Sequence, residues 1–189
     1  MLSGRRLDLI DPSPLDVEIE DVAHGLARVA RWNGQTRGAE IFSVAQHSLL
    51  VEAIFTALDA AATPRAKLLA LLHDAPEYVV GDMISPFKAV IGDNYKQVEA
   101  RLFAAIIVRF GLGPEPGATL TRAIKKADKA AAFYEATRLA GFDMMEAQKF
   151  FGRPPIMPPS LADLIQPTPA DAVQSQFLAR FRTLMSEAA

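Results

Sequence analysis

Leu68-Leu69-Ala70-Leu71-Leu72-His73-Asp74-Ala75-Pro76-Glu77 is the stretch on which the fold turns. Thr63-Pro64 ahead of it is a cap followed by a first-turn proline, a pairing that opens helices because the proline has no N–H to lose there. The leucines leave the helix no polar side, so it is expected to be the central, buried helix of the molecule. Yet His73 and Asp74 stand inside it. A buried imidazole or carboxylate costs several kcal/mol unless something compensates it. Neighbours about 100° apart on a helix can share one ion only where it lies between their two faces, at a helix–helix crossing.

Working outward, two more polar residues interrupt apolar faces. His47 shares a helix face with Leu50, Val51, Ile54, Phe55 and Leu58, behind a capping box of Ser43 and Gln46. Asp128 lies beside Ile124 and Ala131 on the wheel of an alanine-rich helix expected over residues 119–140. Two neutral imidazoles and two carboxylates bring a formal charge of about minus two, which suits a dication with nitrogen and oxygen ligands and leaves positions for water. Helical periodicity also predicts helices over 18–30, from Asp93 to Phe110, briefly over 144–150, and from Thr168-Pro169 through Leu184. Residues 1–16 read as extended, a lid or an edge, and 141–170, with six prolines, as mostly irregular. No segment of useful length has strand period, so the expected fold is all-α: one domain over 1–189, with a metal-binding core over about 19–139 and a C-terminal proline-rich stretch and helix over 141–189.

Composition narrows the function. Half of the 189 residues are apolar, enough for one compact core. The net charge is −2 with no basic stripe, so polynucleotide binding is not expected. No apolar run approaches the roughly 18 residues of a membrane span, and Asp8 and Asp11 interrupt any signal-peptide core. Without cysteine there is no disulfide framework, and any metal must use His and carboxylate. A cytoplasmic enzyme is the expectation.

Further candidates surround the quartet. Glu77 and Asp82 are placed to flank the same ion, one positioning water and the other protonating a leaving oxygen, in an order left open. The loop Arg31-Trp32-Asn33-Gly34 offers a guanidinium for phosphate and an indole for stacking, although a tryptophan packed into the core is the plain alternative. Lys88 could neutralise phosphate, and His24 could touch phosphate or substrate; both also read simply as a solvated lysine and a half-buried helix histidine. Glu135, seven residues after Asp128, reads as structural, and Arg122, Lys125, Lys126 and Lys129 as a solvated helix side.

With His47, His73-Asp74 and Asp128 in that order, the chain resembles the HD-domain metal-dependent phosphohydrolases. Ser43-Val44-Ala45-Gln46-His47-Ser48, Leu72-His73-Asp74-Ala75-Pro76-Glu77 and Gly81-Asp82 are similar to the bacterial 5′-deoxynucleotidase branch and the related phage dATP triphosphohydrolases. The resemblance implies a helical bundle with its metal between core helices, ligated by His47, His73, Asp74 and Asp128. It implies catalysis by Glu77 and Asp82, with Arg31 and Trp32 meeting phosphate and nucleoside. Two related branches fit less well: the alarmone hydrolases carry two acids together where Glu77 is followed by Tyr78, and the cyclic-di-GMP phosphodiesterases carry a Gly-Tyr-Pro signature absent here.

The leading expectation is therefore a metal-dependent phosphoric monoester hydrolase, a 5′-(deoxy)nucleotidase acting on nucleoside monophosphates. The alternatives are a nucleoside triphosphohydrolase of the dATPase type, a catalytically silent nucleotide sensor, and a helical interaction protein that binds no metal. The ligand set accepts zinc, manganese, cobalt, iron or nickel, with magnesium able to accompany substrate. A homodimer packed through helices is what the resemblance implies for assembly.

Overall fold

A computed structural model describes residues 1–113 and 115–189. Its elements are α-helical: α1 Ile19–Leu26, α2 Val44–Leu58, α3 Pro64–Leu71, α4 Glu77–Val80, α5 Ser85–Ile91, α6 Asp93–Arg109, α7 Ala118–Arg138, α8 Met144–Phe151 and α9 Ala170–Ala188. Short 3-10 turns occupy Pro14–Asp16, Arg31–Gly34 and Pro159–Ile165. Among the described residues the one β feature is an isolated antiparallel bridge between Ala30 and Ser43. The all-α expectation holds.

The centre of the bundle is α2 rather than α3. Every residue from Val44 to Glu52 is buried, and α2 packs against α3, α7, α9 and the Pro159–Ile165 turn. The first turn of α3 stays half-exposed, and only Leu68 to Leu71 close onto α2 and α9. Leu50, Leu68, Leu69, Leu71 and Leu72 are fully buried, each worth about 1.5–3 kcal/mol of transfer free energy. The Ser43 hydroxyl caps α2 by accepting from Gln46 N, but the Gln46 side chain does not close the capping box. Its Nε2 donates to the Gln166 carbonyl and its Oε1 accepts from Thr168 N, pinning the proline-rich return to the core.

The helix expected through His73-Asp74 stops short of them. Pro76 has no N–H to give the Leu72 carbonyl and disfavours helical backbone in Ala75. Leu72 leaves helical geometry, and a turn carries the chain from α3 into α4 through Ala75 N to Leu72 O and Glu77 N to Asp74 O. The first helix likewise ends at Leu26 rather than near residue 30. Residues 77–80 and 85–91 form two short helices, and Asp93 lies in the first turn of α6 behind a Gly92 cap. The N-terminal stretch is seated on α1, with Ser3 bonded to Asp21 and Arg5 to Glu18.

Candidate metal centre

Four side chains meet where α2, the α3–α4 turn and α7 converge. His47 Nε2 stands 3.3 Å from Asp128 Oδ1 and 3.5 Å from Asp74 Oδ2, and His73 Nε2 stands 3.2 Å from the same Asp74 oxygen. Ligand atoms of His47, His73 and Asp128 all lie within 4.8 Å of one another. The turn, rather than a helix, presents the adjacent His73 and Asp74 to α2. The Ala70 carbonyl, 2.9 Å from His73 Nδ1, fixes that ring with Nε2 inward.

The residues fit a divalent cation. Both Nε2 atoms are buried without a hydrogen-bond partner, an expensive condition for a polar atom. Atoms sharing one ion at about 2.0–2.2 Å stand roughly 3–3.5 Å apart, and the His47–Asp128, His47–Asp74 and His73–Asp74 pairs have that spacing. Burial opposes ionisation of Asp74, but the imidazoles of His73 and His47 and the Arg31 guanidinium hold its carboxyl below the usual range. Burial and Arg31 press His47 toward the neutral form, while Glu135 and Asp128 raise it to about 10. The centre therefore has a strong appetite for positive charge on its imidazole side.

Behind the ligands lies a carboxylate that sequence reasoning passed over. Glu135 is fully buried on α7; its Oε1 meets His47 Nδ1, and its Oε2 accepts from Trp32 Nε1 at 2.9 Å and Arg31 Nε at 3.3 Å. Burial would raise its carboxyl, but His47 and Arg31 hold it down, at about 2. The available signal was its position: Glu135 follows Ala127, Ala130, Ala131 and Ala132 on a buried face, where a lone carboxylate needs partners as Asp128 does.

Arg31 donates through Nη1 to Asp82 Oδ2 at 3.0 Å. Burial would lower its pKa, but Glu135, Asp82, Asp74 and Asp128 raise it, so it stays charged. Trp32 and Asn33 both have left-handed backbone, at φ 56° and 52°. Such geometry costs about 1–2 kcal/mol per residue, so the turn is held by its contacts. Trp32 takes part of its hold from edge contacts with Phe142 and Phe151, at 5.6 and 5.9 Å between centroids.

Of two cavities, only the smaller is lined by the candidate ligands; the larger adjoins Arg31 and Asp82. The larger, about 580 Å³, is walled by Arg31, Trp32, Asp82, Met83, Phe142 and Phe151. The smaller, about 230 Å³, is walled by His73, Asp74, Asp128, Phe103, Thr121 and Lys125. Lys125 is exposed, as read, and also lines this cavity. Glu77 is buried on α4 with one oxygen 3.4 Å from Lys88 Nζ and the other without a partner; burial, with Asp74 and Asp82, pushes its carboxyl up to about 9. Lys88 is engaged by Glu77 and Glu99 and lies over the Tyr95 ring, so it reaches the site only through Glu77. His24 lines neither cavity; it sits in the last turn of α1, its carbonyl accepting from Arg28.

Fold and site together define an all-α protein with a partly buried cluster of His47, His73 and Asp128 that could hold a metal. The uncharacterized protein RCAP_rcc00048 of Rhodobacter capsulatus is 53% identical over 186 residues, covering 98% of this chain and 94% of that one. The chain belongs to the same family. The uncharacterized protein YfdR of Escherichia coli is 31% identical over 99 residues, about half of each chain. No family model matches.

No described helix is long and apolar enough to cross a membrane.

Proposed function

We propose that the protein is a metal-dependent phosphohydrolase of the HD-domain class that cleaves phosphate esters of small nucleotides, with nucleoside 5′-monophosphates as the leading substrates. The observation that carries this reading is the convergence of His47 Nε2, His73 Nε2, Asp74 Oδ2 and Asp128 Oδ1, with His73, Asp74 and Asp128 lining a cavity and Arg31 tied to His47 through Glu135. His47, His73, Asp74 and Asp128 would hold a divalent cation, which would supply Lewis acidity toward a phosphoryl oxygen and a water of lowered pKa.

The remaining tasks fall to side chains in place. Hydrolysis forms one P–O bond from water and breaks the ester P–O bond, so one proton leaves the water and one reaches the departing oxygen. Glu77 and Asp82 are the carboxyls available for those transfers. The permanently charged Arg31 faces the larger cavity and can engage phosphoryl oxygens as it now engages Asp82. Trp32, Phe142 and Phe151 give that cavity an apolar wall, and its volume lies within the roughly 300–1,000 Å³ of small-molecule sites. A triphosphohydrolase is the second reading, supported by the smaller cavity, whose Lys125 could accept a longer polyphosphate.

The test is phosphate release from deoxy- and ribonucleoside mono- and triphosphates with manganese, cobalt, zinc, magnesium or chelator. Chelator-sensitive orthophosphate release from monophosphates is expected. Inorganic triphosphate from a nucleoside triphosphate alone would move the assignment to the second reading. No release with stoichiometric metal bound would remove the hydrolase.

A further inference from the structure

Glu135 joins three groups that the proposed reaction uses separately. One oxygen faces a ligand imidazole, and the other binds the indole N–H and guanidinium Nε of consecutive residues on a strained turn. We propose that Glu135 is a positioning residue through which occupancy of the His47 centre sets Arg31 and Trp32, so that metal binding and substrate recognition are linked. The inference rests on the phosphohydrolase reading for its purpose, but the linkage itself does not need turnover.

The physical warrant is a short chain of bonds with no slack. His47 can ligate through Nε2 only when the ring proton is on Nδ1, where it is donated to Glu135. Glu135 is fully buried on α7, so bulk solvent does not compete with its three partners when one of them shifts. The other end is poised to respond. Left-handed Trp32 and Asn33 would relax toward ordinary backbone if released, and the side-chain bonds of Arg31 and Trp32 to Glu135 oppose that release. Coupling of this kind is reciprocal: whatever metal does to the turn, the turn does to metal affinity.

Trp32 is the only tryptophan in the chain, so its emission reports on the turn directly. The experiment is a zinc titration without nucleotide, following tryptophan emission and zinc binding together. Wild type should show a saturable emission change at one zinc per chain. Glu135→Gln should bind zinc about 10–100-fold more weakly and show no emission change at full occupancy. An unaltered emission response in zinc-saturated Glu135→Gln, or zinc binding to wild type with no response, would overturn the linkage. If Glu135→Gln does not fold, Trp32→Phe carries the test, because it keeps an aromatic side chain on the turn while removing the indole N–H that Glu135 accepts. Zinc affinity reduced several-fold in that variant supports the linkage, and unchanged affinity overturns it. Zinc-responsive emission in a protein that releases no phosphate would remove the hydrolase reading and leave the linkage standing. Phosphate release without the response would do the reverse.

Discussion

Asp74 contributes the carboxylate oxygen that lies beside both imidazoles. Asp74→Ala should abolish metal retention and turnover together, read by elemental analysis of purified protein and by phosphate release; a metal-free but active variant would sink the model. Glu77 has a different kind of task, since its oxygens face Lys88 and no ligand. Glu77→Gln is expected to keep stoichiometric metal while losing roughly 10²–10⁴ in rate, the usual range for a lost proton-transfer group. The four proposed ligands were legible because each interrupts an apolar run, and periodicity exposes such an interruption. Glu135 was not legible. Its partners lie about a hundred residues away, and a carboxylate on a helix looks ordinary until the burial of that face is known. The ion pair of Lys88 with Glu99 was equally hidden, because nothing local to the lysine announces that partner.

Helix ends were legible wherever local chemistry sets them. Ser43, Thr63 and Asp143 each accept from a backbone N–H three residues on, at the starts of α2, α3 and α8. What the pattern missed was competition between local signals. The apolar period carries straight through His73-Asp74, and Pro76 overrules it. Crossings between elements were equally hidden. Gly25 on α1 lies so close to α4 that an added Cβ would stand 2.7 Å from Tyr78 O and 2.9 Å from Tyr78 Cβ. Backbone cannot yield as a flexible side chain does, so Gly25→Ala should cost about 1–3 kcal/mol and lower Tm by roughly 2–12 °C. Thermal unfolding followed by circular dichroism checks this. An unchanged Tm would show that α1 and α4 can separate freely.

For the molecule as a whole, the ligands come from three separated parts of the chain, so an ion held between them ties α2, α7 and the α3–α4 turn together. An ion that binds only the folded state stabilises it by mass action, about 2.7 kcal/mol at a concentration 100 times Kd. Zinc at that level should therefore raise the wild-type Tm by roughly 5–11 °C and leave Asp128→Ala unmoved, as scanning calorimetry would record. The turn closed by Pro76 has a longer consequence. Pro76→Ala would restore the missing N–H and let α3 run on toward α4, with gain in local helix energy, while swinging Asp74 away from His73 by about 100° around the new axis. Such a chain should melt no lower than the parent and hold no metal.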